Sequence, residues 1–215
     1  MAYPTVSAPY GLKPVNLIGG QVYAGSTRLL KIASAYAANI FYGDVVKLVS
    51  SGTIEKDTGT TTGTPVGVFL GCTFTNPSTK QPTWSQYWPT GTVASDAQAY
   101  VVDDPDILFK VAAVSSGTTI AFYAQTVIGN NVSLVQNSGS TTTGDSAVAI
   151  DGSAVATTVS LPIRIIAGVP DTANASGEFC EFICKWNAPY ITLTEGTPNT
   201  VAWNGGHQYL NPTGV

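Results

Sequence analysis

The run Thr157-Thr-Val-Ser-Leu-Pro-Ile-Arg-Ile-Ile-Ala167 gives the clearest indication of the fold class, because its apolar and polar residues alternate. Successive side chains of a β-strand point to opposite faces of a sheet. The run is therefore predicted to be one strand, with Val159, Leu161, Ile163 and Ile165 on one face and Thr158, Ser160, Pro162 and Arg164 on the other. Downstream, Phe179-Cys-Glu-Phe-Ile-Cys-Lys-Trp186 also alternates, with large residues on both sides, and is interpreted as a strand whose two faces are both partly buried.

Strand-like runs separated by turn residues continue through the rest of the chain. They include Val45–Val49, Val66–Thr75, Gln98–Val102 and Ile107–Val114, and the last two are interpreted as a pair of strands around the turn Asp103–Asp106. Residues 27–41 fit a helix and fit two strands with a turn near 35–39 almost as well, and we favour strands. Because 22 Gly and 13 Pro interrupt the chain, long helices are disfavoured. The sequence thus predicts an all-β fold, mostly β with little helix, as a β-sandwich or barrel-like domain with extended N- and C-terminal arms.

Three regions are predicted along the chain. They are an extended N-terminal arm (1–25), a β-rich domain (26–203) with a candidate break into two lobes near 129–145, and a C-terminal arm (204–215). The N-terminal arm is interrupted by Pro and Gly yet is rich in apolar residues, whereas a free tail would be more polar. It is therefore expected to lie across either its own domain or a neighbouring subunit, and both remain open.

Charged residues are scarce, at 10% of the chain against about 25% in an average soluble domain, and the net charge is −4. Such a surface does not suit a phosphate backbone or an anionic membrane, so neither nucleic acid nor membrane is expected as a partner. It suits both a large β protein with Thr, Ser and Asn on its faces and a surface covered by neighbouring subunits. No run approaches the roughly 20 apolar residues of a membrane helix, and the first residues lack a secretory pattern, so synthesis in the cytoplasm is expected.

A catalytic site is not predicted. The single histidine, His207, lies near the C-terminal end, and the chain contains no phosphate-binding loop, dinucleotide fingerprint or zinc-ligand spacing. The trio Gly144-Asp145-Ser146 is similar to a motif of one class of esterase, but that chemistry needs an Asp three residues before the histidine, where this chain has Asn204. We therefore expect a protein that is not an enzyme and that uses no cofactor and no metal.

Two clusters leave alternatives open. Asp103, Asp104 and Asp106 are interpreted as a tight Asp-Pro turn between strands. The alternatives are that these residues, with Asp96 upstream, form a Ca²⁺ site or supply the carboxylates of a glycoside hydrolase. The aromatic segment Trp84–Trp88 is interpreted as core or interface packing, with a sugar-binding platform as the alternative.

The three cysteines, Cys72, Cys180 and Cys184, are predicted to be buried, reduced and structural. If Cys180 and Cys184 share a strand, they lie about 13 Å apart, beyond the roughly 7 Å between Cα atoms that a disulfide allows. A zinc site would need more ligands than the neighbouring sequence offers.

Several phrases of the chain together resemble one family. They are Ala8-Pro-Tyr-Gly-Leu-Lys-Pro-Val15, Tyr42-Gly-Asp-Val-Val-Lys-Leu48, Pro65-Val-Gly-Val-Phe-Leu-Gly71, the segment Trp84–Pro89, and Asp104-Pro105-Asp106 followed by Phe109. In these phrases the chain resembles head structural proteins of tailed bacteriophages, in particular capsid decoration (cement) proteins. Those proteins commonly carry a Gly-Asp-x-Val strand followed by a Gly-Val-x-x-Gly strand in a small β-domain.

The resemblance implies a non-enzymatic virion structural protein, made in the host cytoplasm and located on the capsid surface. Its expected partners are the major capsid protein, whose shell it would bind and stabilise, and further copies of itself in a dimer or trimer. Residues of the arms and of the aromatic segment are the candidates for subunit interfaces: Tyr3, Tyr10, Leu12, Leu17, Ile18, Tyr23, Trp84, Tyr87, Trp88, Trp203, His207 and Tyr209. Another virion structural protein (a coat or tail component) and a carbohydrate-binding or adhesin module are the alternative functions.

Overall fold

A computed structural model of the chain describes residues 9–116, 119–120, 125–172 and 180–187. Within these residues the chain forms fourteen strands and one 3₁₀ turn, Gln125–Val127, which confirms the predicted all-β class. The strands are β1 (Lys13–Leu17), β2 (Arg28–Lys31), β3 (Val45–Leu48), β4 (Ile54–Lys56), β5 (Gly67–Thr75), β6 (Pro82–Ser85), β7 (Gln98–Val102), β8 (Ile107–Ser116), β9 (Thr119–Ile120), β10 (Asn131–Val132), β11 (Leu134–Val135), β12 (Ala149–Asp151), β13 (Ile163–Gly168) and β14 (Glu181–Trp186). No helix in the described part of the chain is long and apolar enough to cross a membrane.

The strands form two sheets. A six-stranded sheet has the order β2-β7-β5-β3-β4, with β6 paired to β5. It curls on itself, because the chain after β2 bridges from Ile32 to Ile54 at the start of β4, and this contact nearly closes a barrel. An eight-stranded sheet has the order β10-β13-β14-β8-β12-β11, with β1 and β9 paired to β8. The fold is therefore a small barrel joined to a second sheet.

Neighbouring residues of the barrel strands belong to two different cores. Val101 of β7 is buried inside the barrel, whereas Val102 is buried between the barrel and the second sheet. The same division separates Val46 from Val45 in β3. Because side chains alternate along a strand, one wall of the barrel contributes to both cores.

The predicted strand 157–167 begins later than expected. β13 starts at Ile163, and its buried and exposed residues alternate as predicted. Residues 157–162 are not part of the strand, since 159–162 form a turn and bend, and Val159 is 65% exposed rather than on the buried face. Pro162 immediately precedes the strand, and its missing N–H group removes one donor for sheet pairing at that end.

The two strands around the turn Asp103–Asp106 exist as predicted, but they do not pair with each other. β7 pairs with β2 and β5 in the barrel, whereas β8 pairs with β1, β12 and β14 in the second sheet. The turn, in which the Oδ1 atom of Asp104 accepts a hydrogen bond of 2.8 Å from the N–H of Asp106, therefore carries the chain from one sheet to the other. The candidate lobe break near 129–145 lies within the part of the chain that forms the second sheet.

The described part of the predicted N-terminal arm lies across its own domain. β1 pairs with β8, and Leu12 just before it is fully buried between the two sheets. Farther along, the ambiguous stretch 27–41 contains no helix, as we favoured, but only the first of the two expected strands, β2, since the second is reduced to a single bridge between Ile40 and Trp88. The predicted C-terminal arm, 204–215, lies outside the described residues.

Two glycines of β5 permit close packing in the barrel. A Cβ atom built on Gly67 would lie 2.2 Å from the carbonyl oxygen of Val102, so only glycine fits where these strands approach. Gly71, with φ of +141°, occupies a bulge where the register with β7 shifts.

Candidate functional site

The predicted interface residues differ widely in exposure. Leu12 and Trp88 are fully buried in the chain's own cores, so neither can anchor another subunit without leaving its core. Ile18 is 47% exposed and Trp84 is 61% exposed. Four further residues are partly buried: Tyr10, Leu17, Tyr23 and Tyr87. The others, Tyr3, Trp203, His207 and Tyr209, lie outside the described residues.

The aromatic segment is divided between the interior and the surface. Trp88 fills the barrel, where its ring makes an edge contact with Phe74 at a centroid distance of 5.4 Å and its indole N–H lies 3.4 Å from the carbonyl oxygen of Tyr36. Tyr87 stacks on Phe41 at 5.5 Å. Trp84, on β6, lies on the outside. The interpretation as core packing is therefore correct for Trp88, while Trp84 remains available to a ligand or partner.

Residues 15–22 form a compact exposed feature that we call the N-terminal hairpin. The N–H of Leu17 donates to the carbonyl oxygen of Gln21 (2.9 Å), and Asn16 bridges to Val22 across the hairpin. The N–H of Ile18 donates to the carbonyl oxygen of Asp106 (2.9 Å), which ties the hairpin to the turn between the sheets. Its exposed apolar side chains are Val15 (38%), Ile18 (47%) and Val22 (78%). Val15 and Val22 are not among the predicted interface residues, although both belong to the apolar N-terminal arm from which several of those residues were taken.

Lys13 fastens the N-terminal segment to the loop before β12. Its Nζ atom lies 3.1 Å from the Oδ1 atom of Asp145 and 3.8 Å from the centroid of the Tyr42 ring. The amide nitrogen of Gln86 donates to the same Asp145 oxygen at 3.2 Å. Burial lowers the pKa of Lys13, and the carboxylate of Asp145 acts in the opposite direction. The cluster is therefore interpreted as a structural clamp.

A second clamp holds Tyr10 to the second sheet. The Tyr10 hydroxyl donates a hydrogen bond to Glu181, and the Nζ atom of Lys110 pairs with the same carboxylate at 3.1 Å. Glu181 is buried, whereas Tyr10 and Lys110 are only partly buried. Burial, and secondarily the hydrogen bond to Glu181, hold the pKa of Tyr10 above its usual range. Tyr10 therefore contributes to the attachment of residues 9–13 to their own domain.

Asp44 forms a buried polar centre between the barrel and the second sheet. One oxygen, Oδ2, accepts from the N–H of Phe41 (2.9 Å) and pairs with the Nζ atom of Lys56 (2.9 Å). The other, Oδ1, accepts from the hydroxyl of Ser146 at 2.6 Å, and the Ser146 oxygen accepts in turn from the N–H of Val148 at 3.0 Å. The Asp of the Gly-Asp-x-Val phrase thus joins β3, β4 and the loop before β12.

The residues weighed for catalysis have structural partners. The Ser146 hydroxyl of the esterase-like trio is buried and bonded to Asp44, which is not the exposed position a nucleophile needs. Asp103 pairs with Arg28 at 2.7 Å, and Asp96 accepts hydrogen bonds from Thr75. Among the described residues, no group of three or more His, Cys, Asp or Glu side chains could hold a metal ion. His207 lies outside those residues.

The three cysteines are free and buried, as predicted. Cys180, Cys184 and the neighbouring Phe182 lie on the face of β14 that packs into the core between the sheets. Cys72 lies inside the barrel, where burial raises the pKa of its thiol to about 12. An inaccessible thiol is a poor nucleophile, so a structural role fits all three buried residues.

Trp84 lies beside an open groove of about 430 Å³. The groove is formed by the ends of β5 and β6 together with Asp96, and its lining residues are Thr73, Phe74, Thr75, Pro82, Thr83, Trp84 and Asp96. It combines an exposed aromatic ring, threonines and a carboxylate, which are side chains that can contact a polar ligand with an apolar face. Asp96 was considered only as part of a metal or catalytic cluster in the sequence, because its proximity to Trp84 depends on the fold.

Comparison of the chain with protein-family models, with curated proteins and with solved structures found no match. Any function proposed for this chain therefore depends on its own sequence and geometry.

Proposed function

We propose that this chain is a capsid decoration (cement) protein, a non-enzymatic structural protein that binds and stabilises a shell of major capsid protein. The observation that carries the proposal is the N-terminal hairpin, which presents Val15, Ile18 and Val22 to solvent from a firmly attached segment. Three exposed apolar side chains on one short hairpin make it a candidate site of protein–protein contact. The scarcity of charge in the chain favours the same use, since interface cores are depleted of charge.

The phrases that resemble decoration proteins support the proposal by their position. The Gly-Asp-x-Val phrase ends in β3 and the Gly-Val-x-x-Gly phrase lies in β5, and these two strands pair with Val45 opposite Val68. The phrases therefore form one continuous piece of the barrel. Their spacing in the sequence has a structural reason, because each phrase supplies one strand of the same pair.

The proposed location is the outer surface of a capsid, and the proposed partners are the major capsid protein and further copies of this chain in a dimer or trimer. A shell presents many equivalent sites. Linked copies that engage neighbouring sites gain affinity without new contacts, so the contact made by each copy can be small. A hairpin with a few apolar side chains is sufficient under those conditions.

The test is co-sedimentation of the purified protein with particles from the same source. We expect wild-type protein and the control Val159→Ser, which alters an exposed valine outside the hairpin, to bind equally. The double variant Ile18→Ser/Val22→Ser is expected to lose at least about tenfold in affinity, because it removes apolar contact area worth more than about 1.4 kcal/mol. Wild-type protein that ignores particles would refute the proposed function, and a double variant that binds normally would refute the role of the hairpin.

Point substitutions are preferable to a large N-terminal deletion in this test. Removal of residues 2–20 would take away Leu12 from the core and β1 from the second sheet, so lost binding could reflect lost folding. Light scattering of the isolated chain distinguishes the runner-up function. A decoration protein is expected to stop at a small oligomer, whereas a coat or tail component would assemble into shells or tubes.

A further inference from the structure

The indole of Trp84 is a fixed platform rather than a loose surface side chain. Trp84 lies opposite Thr73 in the pairing of β5 with β6. A Cβ atom built on Gly71 would lie 3.2 Å from Cζ2 of the indole, so the ring lies against the backbone where Gly71 has no side chain. The residue is nevertheless 61% exposed. An apolar ring surface is thus held in place and remains open to solvent.

Asp96 supplies an oriented acceptor on the rim of the same groove. Its Oδ2 atom accepts from the hydroxyl of Thr75 at 2.6 Å and from the Thr75 N–H at 3.1 Å. These hydrogen bonds lower the pKa of Asp96, so the group is an anion at neutral pH. The Oδ1 atom, which accepts only from the Thr75 N–H at 3.2 Å, has a further lone pair available to a ligand donor.

The loop that joins β5 to β6 is closed by its own hydrogen bonds. The side-chain oxygen of Asn76 accepts from the N–H of Ser78 (2.9 Å) and of Thr79 (3.2 Å). The N–H of Asn76 donates to the carbonyl oxygen of Gln81 at 2.9 Å. A groove built on a preformed hairpin loses little conformational entropy when a ligand binds.

We infer that this groove binds a neutral saccharide, one hexose unit of which stacks on Trp84. A pyranose ring has an apolar C–H face that suits an exposed indole, and its hydroxyls can donate to Asp96 and exchange hydrogen bonds with Thr83. The volume of about 430 Å³ lies in the range of small-molecule sites. The Asp96 carboxylate repels anions, which disfavours nucleotides and acidic sugars. The N-terminal hairpin, which is proposed to contact the shell, consists of residues 15–22 and contributes nothing to the groove between β5 and β6. The saccharide inference therefore does not depend on the capsid role.

The experiment is isothermal titration of the full chain with maltohexaose, cellohexaose, mannohexaose and chitohexaose, with the oligonucleotide (dT)₂₀ as an anionic probe. At least one neutral hexaose is expected to bind with a millimolar or tighter dissociation constant. Trp84→Ala should weaken that binding at least about tenfold and Asp96→Asn about fivefold, whereas Trp84→Phe, which keeps an aromatic platform, should retain most of it. Val159→Ala is the control and should bind like the wild type.

Near-UV circular dichroism of each variant shows whether the fold is intact. Because Trp84 is exposed, Trp84→Ala is expected to keep the wild-type spectrum apart from the contribution of one indole. The inference is overturned if no hexaose binds, if Trp84→Ala binds as tightly as the wild type, or if (dT)₂₀ binds better than every neutral hexaose.

Discussion

The polar centre around Asp44 gives the sharpest prediction for stability. In Asp44→Ala, the Lys56 ammonium loses its carboxylate partner 2.9 Å away while its side chain is only 13% exposed. The N–H of Phe41 and the hydroxyl of Ser146 lose their acceptors as well. Breaking a buried ion pair by removing one partner costs about 3–5 kcal/mol. For a chain of this length that corresponds to a fall in Tm of about 6–20 °C.

Urea unfolding followed by circular dichroism measures this cost, and a double-mutant cycle shows how much of it comes from the unpaired Lys56 ammonium. In the Asp44→Asn/Lys56→Met double variant the unpaired ammonium is absent, so its free energy of unfolding should exceed that of Asp44→Asn alone by about 1–3 kcal/mol. The control is the surface pair between Arg28 and Asp103, in which the Arg28 side chain is 59% exposed. There, Arg28→Met should cost less than about 1 kcal/mol.

An Asp44→Ala variant as stable as Arg28→Met would show that the buried carboxylate contributes no more than a surface ion pair. Failure of Lys56→Met to recover stability in the Asp44→Asn background would show that the unpaired ammonium is not the source of the cost. Either result would contradict the assignment of Asp44 as a stabilising buried polar centre.

Three further predictions concern the core and its thiols. Gly67→Ala should lower the free energy of unfolding by at least about 2 kcal/mol, since the new Cβ atom would overlap a carbonyl oxygen. Gly19→Ala, where no atom lies within 4 Å of the new Cβ, should change it by less than about 0.5 kcal/mol, and urea titration of both variants measures the difference. Trp88→Ala should lower the free energy of unfolding by about 3–5 kcal/mol and Trp84→Ala by under about 1 kcal/mol, and equal losses in thermal melts would contradict their assignment to interior and surface. Burial raises the pKa of Cys72 from 9.0 to about 12. The contribution of the protonated Cys72 thiol to stability is therefore complete below about pH 9 and is lost as the pH rises toward 12. A Cys72→Ala variant with the same alkaline loss of stability as the wild type would disprove this.

Sequence patterns located most strands because strand formation is read from local alternation. The runs that became β3, β5, β7 and β14 were identified from their own apolar and β-branched residues. Pairing is not local, which explains the error at Asp103–Asp106. The turn is visible in the sequence, but nothing near it shows that β7 and β8 continue into different sheets. Burial of Leu12 was missed for the same reason, since it depends on β8, far along the chain.

The two tryptophans of the aromatic segment show a second limit. Trp84 and Trp88 were interpreted together as one aromatic segment, and they would share a face only on an unbroken strand. β6 ends at Ser85, whose hydroxyl donates to the carbonyl oxygen of Tyr87 at 2.5 Å. The chain bends there, and Trp88 enters the barrel while Trp84 stays outside. A serine that bonds two residues ahead is a weak signal in sequence, yet here it separates a core residue from a candidate site residue.

The connectivity of the two sheets also has a consequence for synthesis on the ribosome. The barrel strands come from one continuous segment, 28–102, so the barrel can close once that segment has emerged from the exit tunnel. The second sheet waits for β14, because β8 needs residues 181–186 as a neighbour. Until then the core between the sheets, to which Val45, Val68 and Val102 of the barrel wall belong, lacks the side chains of β14. The nascent chain therefore carries a barrel with one incompletely covered apolar wall, and that wall is where chaperones or misassembly would first act during translation.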